Sequence, residues 1–258
     1  MSTFLIGDLH GHYYEFVSIL LDAELVDKDL KWIGGTHKLW LVGDFFDRGP
    51  DGIGCVDLTM RLQQEAKRAG GEVNSVIGNH DISLLSAYLI PDKMTDGPFG
   101  TFLQDWQRAG NPEDLERLTP QHVEWLTNLP AMVLIDDCLL IHADAELYLE
   151  YGSTVEEVNQ RFYDIMRGDN PREWDHFLEV FSGHRYFWES LEQTADFLSR
   201  YGGKQIIHGH TPISKMIDLD PELTWKPLIY NDGLCINMDG GIYMGSPGFY
   251  YRLPSIEE

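Results

Sequence analysis

Three short blocks set metal-type donors beside glycines. They are Gly7-Asp8-Leu9-His10-Gly11, Gly43-Asp44-Phe45-Phe46-Asp47-Arg48-Gly49 and Gly78-Asn79-His80-Asp81. Each follows an apolar run that reads as a strand. Oxygen and nitrogen donors without sulfur suit manganese, iron or zinc. Asp8 and His10 stand two apart on a chain leaving a strand, so alternation puts both on one side, where they can grip one ion. Asp44 offers a carboxylate able to bridge two ions, and Asn79 an amide oxygen. Later, the run 138–141 leads into His142-Ala143-Asp144, and 205–207 into His208-Gly209-His210-Thr211-Pro212. These supply imidazoles for a second ion. Taken singly, each block has an ordinary use as a turn, a helix cap or a buried histidine. All five at strand ends in one chain point to a two-metal hydrolytic centre.

The elements that must position them alternate. The pattern predicts strand 4–6, helix 12–25, strand 38–42, helix 52–69, strand 73–77 and a helix over 81–89. This βαβαβ order implies parallel strands with right-handed crossovers. The donors then fall at carboxyl ends of strands, where open α/β sheets place their sites. The polar stretch 91–130 reads as a cap, with a helical patch over 101–109. Residues 132–135 and 138–141 read as strands around an Asp136-Asp137 turn. Residues 153–200 read as largely helical, with a capping box at Ser190–Gln193 and a stop at Gly202-Gly203. Residues 205–207 form a further strand, and 234–238 and 249–253 read as late antiparallel strands. We expect one domain over 1–258, with cap-like insertions at about 91–130 and 145–200.

Bulk composition narrows the class. The 258 residues are enough for a substantial α/β core. The net charge is −23, from 42 acidic and 19 basic residues. Such a surface disfavours long nucleic acid and anionic membranes. No apolar run approaches the roughly 20 residues of a membrane helix. Three widely spaced cysteines argue against a disulfide framework and for a reducing compartment. With a first strand starting almost at Met1, the expectation is a cytoplasmic protein without a leader.

The motifs Gly-Asp-x-His-Gly, Gly-Asp-x-x-Asp-Arg-Gly, Gly-Asn-His-Asp, a later His and a final Gly-His-Thr resemble those of the calcineurin-like metallophosphoesterases. The resemblance runs from Asp8 to Thr211. It is strongest for the phosphoprotein-phosphatase branch, which includes phage-type and bacterial serine/threonine phosphatases and diadenosine tetraphosphate hydrolases. It implies a four-layer α/β/β/α sandwich with two mixed β-sheets and a helical cap insertion. It also implies two divalent or trivalent ions, with manganese the first candidate and iron or zinc the others. Asp8, His10 and Asp44 would hold the first ion. Asp44 would bridge to a second, completed by Asn79, His142 and His210. His80 resembles the family's general acid, Asp47 its orienting carboxylate and Arg48 a phosphate clamp. Arg185 is the candidate for a second arginine, and His208 stands where relatives carry an apolar residue. Two departures stand out: Asp81 replaces the Glu of eukaryotic relatives, and Ile77 stands where several carry another arginine.

Two cations about 3.5–4 Å apart can hold a hydroxide between them and lower its pKa toward neutrality. That hydroxide would attack phosphorus in line, while His80 gives a proton to the departing oxygen. The leading expectation is a phosphomonoesterase, with serine/threonine phosphoproteins among its substrates. The alternative is a hydrolase of dinucleoside polyphosphates or related small nucleotides. For that alternative Trp106, Trp125, Tyr148 and Tyr151 are candidate base-stacking residues, though ordinary packing is their commoner use. A nuclease acting on long chains fits the acidic surface poorly. A scaffold that has lost catalysis fits poorly with the presence of His80, Asp47 and Arg48 together.

Overall fold

Side chains of a strand alternate between two faces, and here both faces are apolar. Leu5 faces one way and Phe4 and Ile6 the other; Trp40 and Leu39 divide likewise, as do Leu140 and Leu139. A strand apolar on both sides must be covered on both sides. The computed structural model describes residues 1–258 other than 96, 98–99, 189 and 255–258. Strands β1 (Thr3–Ile6), β2 (Lys38–Leu41) and β3 (Glu72–Ser75) run parallel, joined by helices α1 (Tyr13–Asp22) and α2 (Gly52–Ala69). A second sheet is built from β4 (Met132–Ile135), β5 (Cys138–Ile141), β6 (Gln205–His208), β7 (Leu228–Tyr230) and β8 (Cys235–Asn237). Its order is β4-β5-β6-β8-β7. Leu5, Trp40, Val42, Leu140, Ile207 and Ile236 pack between the two sheets. The opposite faces pack against helices, which gives two mixed sheets inside helical layers.

Helix α1 buries Phe16, Ile19 and Leu20, spaced three and four apart on one face. Each such burial stabilises the fold by roughly 1.5–3 kcal/mol. Helix α2 starts where the Asp51 carboxylate accepts from Gly54 N and stops at Gly70, with φ +79°.

The late strands differ from expectation. β8 and β9 (Tyr250–Arg252) do not pair with each other. β9 joins the first sheet antiparallel to β1, whereas β8 lies parallel to β6 and antiparallel to β7. β7 was not anticipated, because three half-exposed residues carry almost no periodic signal.

The stretch 91–130 forms α4 (Phe102–Ala109), α5 (Pro112–Arg117) and α6 (Pro120–Thr127). The stretch 145–200 forms α7 (Tyr148–Tyr151), α8 (Val155–Arg167), α9 (Pro171–Phe181) and most of α10 (Leu191–Tyr201). Residues 96, 98–99 and 189 of these stretches lie outside the described residues. Among the described residues no helix is long and apolar enough to cross a membrane.

Candidate active site

The donors do gather where strands end. Asp8 follows β1, Asp44 follows β2, Asn79 opens helix α3 (Asn79–Leu89) after β3, His142 follows β5 and His210 follows β6. Ligand atoms of Asp44, His142 and His210 lie within 4.8 Å of one another, as do those of His10, Asp44 and His80. Asp44 belongs to both groups. It faces His10 Nε2 at 3.6 Å and His142 Nε2 at 3.4 Å. Asn79 Oδ1 lies 3.0 Å from His142 Nε2 and 2.9 Å from His210 Nδ1. Asp8 reaches the second group through main chain, its Oδ2 accepting the His210 N–H at 2.9 Å.

Three imidazoles are pinned in one way. A carbonyl can only accept, so the nitrogen facing it carries the proton. His10 Nδ1 donates to Phe46 O (3.0 Å), His142 Nδ1 to Val42 O (2.7 Å) and His210 Nε2 to Gly183 O (3.1 Å). The other nitrogen of each ring turns inward among carboxylate and amide oxygens. This is how proteins orient metal-binding histidines.

The electrostatics match a cation site. Burial, reinforced by Asp239 and opposed by His142, holds the Asp8 carboxyl well above its usual range. Its Oδ1 is buried without a hydrogen-bond partner. Burial pushes His10 down to about 3, and it also holds His210 well below the usual imidazole value. Burial would lower His142 too, but the Asp44 carboxylate beside it, with Asp8 and the Val42 carbonyl, outweighs burial and raises it to about 10. A cation would take the place of that proton and of the missing positive charge. The donor set therefore fits two ions of the divalent class.

Backbone strain is concentrated here. Among the described non-glycine residues, positive φ occurs at His10 (+46°), Asp44 (+52°), Asp47 (+69°), Arg48 (+67°), Arg185 (+62°) and His210 (+69°). Six residues elsewhere share that conformation. The left-handed region is disfavoured for side chains with a Cβ and is held by surrounding contacts. His10 thus converges through a turn, which replaces the alternation expected for Asp8 and His10.

Two glycines make room for carboxylates. A Cβ at Gly78 would stand 2.1 Å from Asp44 Oδ1, and one at Gly209 2.0 Å from Asp8 Oδ1. The buried Asp81 carboxylate accepts from Gly78 N (2.9 Å), Asp44 N (3.1 Å) and Phe45 N (2.7 Å). It therefore caps α3 and fixes the Asp44 turn together. Burial and the nearby Asp44 raise it to about 7.

His80 lies at the mouth. Its Nδ1 is 2.9 Å from Asp47 Oδ2, and its Nε2 is 3.1 Å from Arg48 Nη2. Burial would raise Asp47, but the hydrogen bond and charge of His80, with the Arg48 N–H and guanidinium, together outweigh it and lower the carboxyl. Arg48 Nη1 also lies 3.4 Å from His10 Nε2. A cavity of about 220 Å³ opens beside Asp47, Asn79 and His80, walled by Trp106 of α4 and Leu178 of α9.

Arg185 sits at the rim. Its N–H donates to Asp144 Oδ2 (2.9 Å), and its Nη2 donates to Lys215 O (2.7 Å) rather than reaching the centre. His208 is buried and bonded to Gly209 O and to the Tyr230 hydroxyl. Three of the four candidate stacking aromatics are packing residues. Tyr148 is fully buried, Tyr151 packs on Phe162 and Phe177, and Trp125 packs on Phe45. Trp106 alone borders the cavity.

Two residues near the centre went unread in the sequence. Asp239 follows β8, is buried with Oδ2 unpartnered, and is raised to about 6, chiefly by burial. As at Asp8, an acid stands beside a glycine just after a strand, though in Asp239-Gly240 the order of the two is reversed. Tyr243 lies in a short 3-10 turn, Ile242–Met244, with the Arg48 guanidinium 4.0 Å above its ring and His10 edge-on at 5.1 Å. No motif marks it.

A two-sheet sandwich with imidazole, carboxylate and amide donors meeting at its strand ends is the arrangement of a metallophosphoesterase. Residues 1–214 match the calcineurin-like phosphoesterase family, and the chain belongs to it. It is 28% identical over 189 residues to a symmetrical bis(5'-nucleosyl)-tetraphosphatase of Erwinia tasmaniensis, a match covering 67% of this chain and 60% of that relative. It is 24% identical over 255 residues to an asymmetrical bis(5'-nucleosyl)-tetraphosphatase of Anoxybacillus flavithermus, covering 98% of this chain and 91% of that one. Among solved structures it resembles the cold-active protein-tyrosine phosphatase of a Shewanella species, with TM-score 0.69 and 18% identity, covering 98% of this chain and 75% of the other. That last likeness is one of fold.

Proposed function

We propose that the chain is a metal-dependent phosphoesterase that hydrolyses dinucleoside polyphosphates. The observation that carries the substrate class is the near full-length match to a bis(5'-nucleosyl)-tetraphosphatase, over 98% of this chain. The phosphomonoester reading, with phosphoproteins as substrates, has a likeness of fold behind it.

Asp8, His10, Asp44, Asn79, His142 and His210 are the proposed ligands of two ions, manganese being the first to try and iron or zinc the alternatives. Bound there, such ions supply the positive charge that polarises a phosphoryl group and lowers the pKa of water. Arg48 turns its guanidinium from His10 and His80 to the phosphoryl oxygens, making charge-assisted contacts. His80, its Nδ1 held by Asp47, delivers a proton from Nε2 to the departing oxygen. The cavity at His80 receives that leaving group, with Trp106 as its wall. Arg185 serves phosphate oxygens at the rim. Three buried free cysteines, Cys55, Cys138 and Cys235, suit the reducing interior of a cell.

The test compares turnover of diadenosine tetraphosphate, a serine phosphopeptide and an aryl phosphodiester with manganese present. Diadenosine tetraphosphate should be the best substrate by at least about tenfold in kcat/KM. Product analysis then separates symmetrical cleavage to two diphosphates from asymmetrical cleavage. A phosphopeptide turned over faster than the dinucleotide overturns the reading.

A further inference from the structure

The chain holds 42 acidic and 19 basic residues, yet three of its cations meet at one rim of the site. Lys215, at the end of the short helix α11 (Ile213–Met216), donates from Nζ to the Tyr243 hydroxyl at 3.2 Å. The same Tyr243 ring carries the Arg48 guanidinium on its face, 4.0 Å from the centroid. Arg185 closes the group by its bond to Lys215 O. Among the described residues, none of the three has a carboxylate within ion-pair distance. Like charges gathered at one rim repel, and a multiply charged anion relieves that repulsion. His184, the chain neighbour of Arg185, stacks on His210 with ring centroids 4.3 Å apart, which sets this rim beside the donors.

Tyr243 is thus a spacer. One ring holds the arginine that faces the candidate centre and, at its hydroxyl, a lysine turned outward. We propose that Lys215 and Tyr243 form a subsite for a second phosphate, one link along a polyphosphate chain from the phosphate that Arg48 engages. The inference rests on the dinucleoside polyphosphate reading and specifies how the chain of phosphates is recognised. A lone phosphate uses Arg48 alone, and a diphosphate uses Arg48 and Lys215 together.

AMP and ADP differ by one phosphate, so they isolate this subsite. Their binding is measured by titration calorimetry on the manganese-loaded protein at fixed free manganese. The wild type should bind ADP about tenfold more tightly than AMP, the scale of one charge-assisted hydrogen bond. Lys215→Gln should reduce that preference to about twofold or less; Lys215 is exposed, so the core is untouched. Lys28→Gln, an exposed lysine in the turn after α1, should leave the preference in place. A wild type without the preference, or a Lys215→Gln variant that keeps it, overturns the subsite whatever the turnover assay shows. If the preference holds but diadenosine tetraphosphate is not hydrolysed, the dinucleotide reading falls and a polyphosphate subsite stands.

Discussion

Asp47 Oδ2 lies 2.9 Å from Nδ1 of His80, which leaves Nε2 of the same ring 3.1 Å from Arg48 Nη2. The carboxylate therefore fixes which nitrogen faces outward, and the guanidinium occupies the spot where a leaving oxygen would accept a proton. On the proposed mechanism, an anion that draws Arg48 away would free that nitrogen.

His80→Asn should lower kcat by roughly 10²–10⁴ for poor leaving groups, the scale of general acid catalysis. An activated aryl phosphate, whose leaving group needs little protonation, should lose much less. Steady-state rates on both substrates decide the point, since equal losses would remove His80 from the acid role.

Asp44 belongs to both donor groups, so Asp44→Asn should leave the protein unable to hold two ions at once. Elemental analysis after dialysis against manganese should find at most one ion per chain. Chelated wild type should be inactive and recover with manganese; two tightly held ions in the variant would refute the shared-carboxylate assignment.

Asp114 gives a pH dependence separate from the donor groups. It is buried, accepts from Ile53 N and has Oδ2 unpartnered; burial raises it to about 6. With the folded pKa above the unfolded one, the native state binds more protons between about pH 4 and 6. This group therefore contributes stability below that window and loses it as pH rises through 6. Asp114→Asn keeps the Oδ1 acceptor and removes the charge. Its denaturation midpoint should exceed the wild type's at pH 7.5, with the difference shrinking toward pH 4. A constant difference across that range would count against the assignment.

Much of the centre was legible because each donor directly follows an apolar run. Asp8, Asp44, Asn79 and His142 carry that local signature, and β1, β2 and β3 pair in chain-compatible order. Other features depend on pairing at a distance. Nothing local in 228–230 or 249–253 tells which sheet each strand joins. Tyr243 acquires its role only when a 3-10 turn brings it over Arg48 and His10. The sequence places the helix start at 81, whereas the helix opens at Asn79, and the hold of Asp81 on Asp44 N and Phe45 N requires the two strand ends to be neighbours. The pairing of Asp8 with His10 was inferred from extended geometry, and the turn at His10 has none.

The left-handed residues around the centre set its chemistry against the durability of the fold. Arg48 is exposed and holds φ +67°, a conformation glycine adopts freely. Arg48→Gly should therefore melt at the wild-type temperature or above it while hydrolysis falls, as scanning calorimetry beside an activity assay would show; a lower melting temperature would mean the side chain itself supports the fold. Selection for hardiness alone would erode this site, so its upkeep demands continued selection for turnover.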